Sequence, residues 1–284
     1  MLGFTSFTSM LDRVAETYSD TIRLLKLLYT YFTNIASADL LKLTQHLIQE
    51  LTIRHGSVKG YKHKISIIRH KHGPLFIVRV GTYSDLYNIA REEQYELERW
   101  FLPLVQGTFI DVGAYIGKYT VFACRSGKVD RLIAIEPIPL NFVVLRANVK
   151  LNLCEEKAIL INRAVDSVSG SKYIYVPVTM HGASLSRASL TKYGSERYIK
   201  LQVQVEPLDM IIQRLGVEYI NFLKIDIEGY VLKALPGLVE TLKRTKYLMI
   251  ELLGREISAH RTLKQLGFKL LDRHGHNYLY IRGT

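Results

Sequence analysis

Phe109-Ile110-Asp111-Val112-Gly113-Ala114-Tyr115-Ile116-Gly117-Lys118-Tyr119-Thr120 is the stretch that decides the fold. An apolar strand ends in an acid, turns tightly on glycine and enters a helix. Gly113 permits a turn that a side chain would obstruct, and Gly117 lets helix and ligand approach closely. The helix start offers free N–H groups to an anionic group. A second strand, Leu132–Ile135, ends in Glu136. A carboxylate there can accept hydrogen bonds from ribose hydroxyls. An acid at the end of the first strand, and Gly-x-x-x-Gly in place of Gly-x-Gly-x-x-Gly, argue against a dinucleotide. A pyrophosphate would repel Asp111, whereas an ammonium would meet it. S-adenosylmethionine carries an ammonium, a carboxylate, a ribose and a sulfonium, and fits the pair of acids best.

The third stretch is Asn221-Phe222-Leu223-Lys224-Ile225-Asp226-Ile227-Glu228-Gly229. It places two carboxylates at the carboxyl end of a strand, where open α/β sheets bind ligands. Positions i and i+2 of an extended chain share a face, so Asp226 and Glu228 can look into one crevice. A magnesium ion would need further oxygen ligands that this stretch does not supply, and no metal is expected.

Working outward, strand and helix patterns alternate from residue 107. Strands are expected at 108–112, 131–135, 157–162, 219–225 and 247–252, with a closing antiparallel hairpin at 268–272 and 278–281. Several are dense apolar runs, as parallel strands covered on both faces require. Residues 58–82 alternate around His72-Gly73-Pro74 and read as a β-hairpin. Residues 9–52 read as two amphipathic helices, a helical extension (1–55) ahead of the main domain (56–284) and a surface for homo-oligomer contact. They lack the lysine surplus of a membrane anchor.

The net charge is +12 and uneven. Residues 54–80 carry seven basic groups and no acidic one, whereas 81–106 are net negative by three. Such a basic segment attracts anions and can steer an anionic substrate. The two cysteines, Cys124 and Cys154, are too few for a disulfide framework and form no CxxC pair, so a reducing cytoplasm is the expected setting. No run of 18 apolar residues occurs and no signal-like start is present, so neither secretion nor a membrane span is expected.

The chain resembles the FkbM family of S-adenosylmethionine-dependent methyltransferases. The resemblance rests on Asp111 to Thr120, Ala134-Ile135-Glu136-Pro137-Ile138-Pro139 and Leu145-Arg146-Ala147-Asn148-Val149-Lys150-Leu151-Asn152. It continues through Pro207-Leu208-Asp209, Lys224 to Gly229 and Ile250-Glu251-Leu252. Lys-Ile-Asp-Ile-Glu-Gly is the most diagnostic of these. Tyr115 stands where the family usually has asparagine, and Val231 where an acid often follows.

The resemblance implies a Rossmann-like class I methyltransferase fold, a seven-stranded mostly parallel sheet ending in an antiparallel hairpin. It implies a cofactor site of Asp111, Gly113, Tyr115, Gly117, Tyr119, Thr120, Glu136, Pro137, Ala164 and Asp226. It implies methyl transfer to a hydroxyl on a small-molecule, glycan, lipid-linked or secondary-metabolite acceptor. An alcohol is a poor nucleophile, so a positioned base should take its proton; the candidates are Asp226, Glu228 and His181. Glu251, ending the fifth strand, is a candidate for the acceptor pocket. RNA methylation is the rival, favoured by charge, but no Asn-Pro-Pro-Tyr motif and no RNA-binding module is present. A non-catalytic binding protein on the same fold is the other alternative.

Overall fold

Apolar runs such as Ile220–Ile225 need cover on both faces, and the chain supplies it with helices on each side of one sheet. The computed structural model describes residues 65–79, 83–90, 92–179, 182–183, 187–190, 197–253 and 257–283. The two helices expected within residues 9–52, with the oligomer contact drawn from them, lie outside the described residues, as does His181.

The described chain opens with the expected hairpin, β1 (Ile65–Arg69) and β2 (Leu75–Arg79), paired antiparallel. Then comes α1 (Tyr83–Ala90), followed by a helical segment, α2, that starts at Gln94–Glu96, widens to a π turn at Leu97–Phe101 and ends at Leu102–Leu104. Strand–helix alternation follows: β3 (Gly107–Val112), α3 (Lys118–Arg125), β4 (Val129–Ile135), α4 (Pro139–Leu151) and β5 (Ala158–Ile161). The chain then leaves the sheet to form β6 (Ala164–Val165), β7 (Gly170–Thr179), β8 (Gly182–Ala183) and β9 (Arg197–Glu206). It returns through α5 (Leu208–Arg214), β10 (Ile220–Ile225), α6 (Val231–Ala234), α7 (Val239–Lys243) and β11 (Thr245–Glu251). It ends with α8 (Ile257–Gln265), β12 (Phe268–His274) and β13 (Asn277–Arg282).

The main sheet has seven strands in the order β12-β13-β11-β10-β3-β4-β5. The pairs from β11 to β5 are parallel, and β13 runs antiparallel to both of its neighbours. This is the Rossmann-like arrangement of class I methyltransferases. Strand order reverses between β3 and β10, which opens a crevice at their carboxyl ends. A second, four-stranded sheet in the order β6-β9-β7-β8 was not expected from the sequence.

The period-2 alternation of the strands divides the core. Phe109, Leu132, Ala134, Phe222 and Met249 pack on one face with α3, α4 and the hairpin. Ile110, Ile133, Ile135, Leu223 and Leu248 pack on the other with α5 to α8. Phe109 and Phe222 are both fully buried, each contributing on the order of 1.5–3 kcal/mol.

Two sequence motifs prove to be fasteners. Asn148 on α4 and Asn152 at its C-cap, one turn further on, meet the backbone of β2: Ile77 N–H donates to Asn148 Oδ1 (2.6 Å) and Leu75 N–H to Asn152 Oδ1 (3.0 Å). The hairpin is thus docked as if against another strand. Asp209 caps the region of α7 by accepting from Thr241 N–H (2.7 Å) and Glu240 N–H (3.1 Å). One expectation is corrected. Cys124 and Cys154 form a disulfide, joining the end of α3 to the segment after α4 across a Cα–Cα distance of 6.0 Å. Adjacent helices bring together cysteines that are far apart in sequence, which spacing alone does not reveal.

Candidate active site

At the switch point the backbone of β3 meets the backbone after β10. Asp226 N–H donates to Val112 O (2.9 Å). A Cβ on Gly113 would lie 1.7 Å from Asp226 O, and Gly113 has φ +82°. Only glycine satisfies both conditions. The two diagnostic motifs therefore touch through main chain, and a cleft of about 400 Å³ opens beside them. That volume lies within the usual range for ligand pockets.

Of the expected residues, Gly113, Tyr115, Glu136, Pro137, Ala164, Asp226, Glu228 and Glu251 line this cleft. Asp111, Gly117, Tyr119 and Thr120 do not. Asp111 is 1% exposed and accepts from Thr120 Oγ1 (2.7 Å), so the pair braces the start of α3 from behind. Burial raises the Asp111 pKa, opposed by Lys224 and by Thr120. The Tyr119 ring packs under the Lys224 ammonium, 4.9 Å from its centroid. Gly117 starts α3 at φ +88° against Leu145.

Glu136, 4% exposed, accepts from Ile138 N–H (2.9 Å) and Asn141 Nδ2 (3.2 Å) at Oε1, and from Tyr115 N–H (2.9 Å) at Oε2. A carboxylate has about four acceptor positions, so one remains on Oε2. Burial pushes its pKa up to about 7, against the pull of these donors and of Arg79.

The other end of the cleft is acidic. Asp226, Glu228 and Glu251 each bring a carboxylate oxygen within 4.8 Å of the others. Glu92, Glu93 and Glu96 add a wall that the sequence reading did not identify. The net negative charge of 81–106 was the available clue. Behind them Lys224, 3% exposed, pairs with Asp226 (2.8 Å) and Glu93 (3.7 Å). Burial opposes its charge, but Asp226, Glu93 and Asp111 outweigh that and hold its pKa above the ordinary lysine value. On the acids, burial and neighbouring carboxylates both work against the charged form. Burial pushes Glu93 up to about 7, with Lys224 pulling it down and Asp226 and Glu92 pushing it further. Burial, Asp226 and Glu92 push Glu228 up to about 8. Burial, Asp226, Glu228 and Glu93 push Glu251 up to about 11. Glu228 sits at φ +50°, followed by Gly229 at φ +71°. A non-glycine residue held there carries backbone strain of about 1–3 kcal/mol.

The far wall joins α2 to the β12–β13 turn. Glu96 Oε1 lies 3.0 Å from His274 Nδ1 and accepts from Asn277 Nδ2 (3.0 Å). Tyr95 packs on His274 with ring centroids 4.5 Å apart. These contacts join residues about 180 positions apart, so no local motif announces them.

A model of the Methyltransferase FkbM domain matches residues 111–270, more than half of the chain. Methyltransferase sdnD of Sordaria araneosa is 25% identical over 155 residues, which cover 46% of this chain and 60% of that protein. Among solved structures, Methyltransferase FkbM from Methylobacillus flagellatus KT is 16% identical with a TM-score of 0.45, covering 85% of this chain and 60% of that one. M. jannaschii TYW2, solved in complex with AdoMet, is 17% identical with a TM-score of 0.39, covering 80% of this chain and 88% of that one. The chain spans about 60% of the length of the first two of these relatives.

Proposed function

Because the chain belongs to the FkbM methyltransferase domain family, we propose that it transfers the methyl group of S-adenosylmethionine to a hydroxyl of a small-molecule or glycan acceptor. The observation that carries this reading is the junction of Gly113 with the Asp226 backbone, with Glu136 and Glu228 in the same cleft. The residues fit the cofactor. Glu136 keeps one acceptor position for a ribose hydroxyl, and Gly113 leaves the loop backbone bare. Asp226 offers negative charge to an ammonium or sulfonium. When bound, the cofactor supplies an electrophilic methyl.

The residues of the chain then have separate roles. Glu228 is the base: a pKa near 8 places it close to the working pH, where proton acceptance and basicity are best balanced. Asp226 is fixed by Lys224 at the mouth of the loop. Glu251, raised to about 11, is protonated at neutral pH and donates a hydrogen bond to the acceptor. With the cofactor held at Gly113 and Glu136 and the acceptor at Glu228 and Glu251, positioning of the two reactants would supply much of the rate.

Glu92, Glu93, Glu96, Asp226, Glu228 and Glu251 line the cleft, and although burial leaves Glu251 protonated, the charged remainder favours an acceptor that is neutral or cationic near the transferred group over a phosphodiester, which makes RNA the weaker reading. No helix among the described residues is long and apolar enough to cross a membrane. The cytoplasmic setting expected from the cysteine count stands against the Cys124–Cys154 bond, which reducing conditions disfavour, and thiol alkylation of freshly lysed cells tests that setting.

The function is tested by calorimetric titration of S-adenosylhomocysteine, then by methyl-labelled cofactor against neutral, amino and anionic hydroxyl compounds. Cofactor binding with label on a neutral or amino compound is expected. Absence of cofactor binding overturns the reading.

A further inference from the structure

Tyr115 occupies a costly position. Its backbone is left-handed at φ +52°, between Gly113 at +82° and Gly117 at +88°, and its side chain is 8% exposed. A bulky residue persists there only if its surroundings over-determine it. The partners of its hydroxyl lie outside residues 111–270. The Tyr115 hydroxyl donates to Asp85 Oδ1 at 2.6 Å. Asp85, fully buried on α1, also receives both Arg79 Nε (2.8 Å) and Nη2 (2.7 Å), a two-pronged ion pair. It receives the Arg79 backbone N–H as well (2.8 Å). Arg79 Nη2 reaches on to Asn141 Oδ1 at 3.0 Å and approaches the Tyr115 hydroxyl at 3.4 Å.

Both arms end on one carboxyl group. Tyr115 donates its backbone N–H to Glu136 Oε2, and Asn141 donates Nδ2 to Glu136 Oε1. The hairpin that delivers Arg79 is fastened at Asn148 and, at the C-cap, Asn152 of α4, the helix that also carries Asn141. Asn148 further donates to Ile116 O (2.8 Å) in the glycine loop. The hairpin, α1, α4 and the loop therefore converge on Glu136.

We propose that Arg79 is a positioning residue for cofactor binding: with Asp85 it locks Tyr115 and Asn141, and through them the orientation and charge of Glu136. The inference rests on the cofactor reading given above. It explains why tyrosine stands where the family usually has asparagine, since only the longer side chain reaches Asp85. It also gives one residue of the basic hairpin a task inside the protein. Arg79 is the cation acting on Glu136 from β2. Asp85 on α1 partners that cation, the Tyr115 hydroxyl approaches from the loop, and Arg163 lines the same cleft beyond β5. Without the Arg79 charge, the Glu136 carboxyl holds its proton to higher pH and accepts from ribose less readily.

The test titrates S-adenosylhomocysteine into the full chain from pH 6 to 9. The variants are Tyr115→Phe, Arg79→Lys and the double variant Arg79→Met with Asp85→Leu. The double variant leaves no buried charge unpaired, so folding is not forfeited with the ion pair. It should bind about tenfold more weakly, with the midpoint of affinity against pH moved up by about one unit. Arg79→Lys keeps the charge and should restore the wild-type midpoint while losing affinity through the missing fork. Tyr115→Phe should lose several-fold in affinity with the midpoint unmoved; it decides the matter if the double variant does not fold. A merely structural role would lower melting temperature and leave the midpoint in place. Unchanged affinity and midpoint in folded variants overturn the inference while the cofactor reading stands. A wild-type chain that binds no S-adenosylhomocysteine overturns both, and is recognised because it fails before any variant is compared.

Discussion

The two halves of the cleft are built by different means. The half proposed to hold the cofactor is mostly main chain. Gly113 abuts Asp226 O, Tyr115 N–H holds Glu136, and the residues fall within the span matched by the family. The acceptor half is side chains. Its wall draws on Glu92, Glu93 and Glu96 before that span and His274 to Asn277 after it. Backbone geometry tolerates little change, whereas a wall of side chains is easily varied. On the proposed reading, cofactor recognition falls to the shared part of the chain, and acceptor choice draws on its flanks together with Glu228 and Glu251.

The comparison breaks first at Gly113. Gly113→Ala puts a methyl 1.7 Å from a carbonyl oxygen at a φ of +82°, so backbone on one side of the junction must move. Binding of S-adenosylhomocysteine should be lost, with a stability cost of about 3 kcal/mol or more. Calorimetry and thermal melting read both. An alanine variant that binds normally would mean the junction is not the cofactor site.

The next effect should fall on the acceptor half alone. Glu228→Gln removes a base and keeps its shape, so turnover should drop by roughly 10²–10⁴ with cofactor affinity retained. The wild-type rate should rise with pH up to about 8, because a carboxyl raised to that value must lose its proton before it can accept another. A rate flat from pH 6 to 9 would remove Glu228 from the role and leave Asp226 to be tested in the same way.

Glu136→Ala belongs to the cofactor half and should weaken cofactor binding by about 1–3 kcal/mol, the usual range for a charged hydrogen bond. The acceptor KM should not change. If the acceptor KM rises instead, the two halves are not separable as described.

The same division explains what was legible in the sequence. The five parallel strands and closing hairpin announce themselves as apolar runs, and the Gly113 turn, Glu136 and Asp226 are local features of strand ends. The second sheet carries a clue too, since Leu201, Val203 and Val205 alternate with Gln202 and Gln204 in β9. That period marks a strand with one covered face. The acceptor wall gives no such pattern, because Glu96 meets His274 and Asn277 only in three dimensions. Net charge says little about the cleft for a related reason. It sums over surface and interior, and the cleft holds the minority sign.

The smallest effect is expected at the basic hairpin, and it sharpens the contrast between outer surface and cleft. Residues 54–80 carry seven positive groups, and among the described residues Arg69, which donates to Gly73 O (3.2 Å), Lys71 and Arg79 are all engaged within the protein. Arg79 is buried against Asp85, and Lys71 lies 2.8 Å from Glu98, which His72 also contacts at 3.1 Å. Lys71 and His72 together hold the Glu98 pKa below the usual glutamate value, against the opposing effect of burial. Both sides of the Lys71 pair are about a third exposed, so solvent screens it and its worth is below about 1 kcal/mol. Steering by the remaining charges acts over a Debye length, about 8 Å at physiological salt. An acceptor suited to an acidic cleft gains nothing from that field. Lys71→Ala with Arg69→Ala should therefore change melting temperature by only a degree or two and leave the salt dependence of turnover as it was. A rate that falls in this variant, and falls less steeply with added salt than in the wild type, would show that an anionic acceptor is drawn to the hairpin. The carboxylate wall would then face a neutral end of that acceptor.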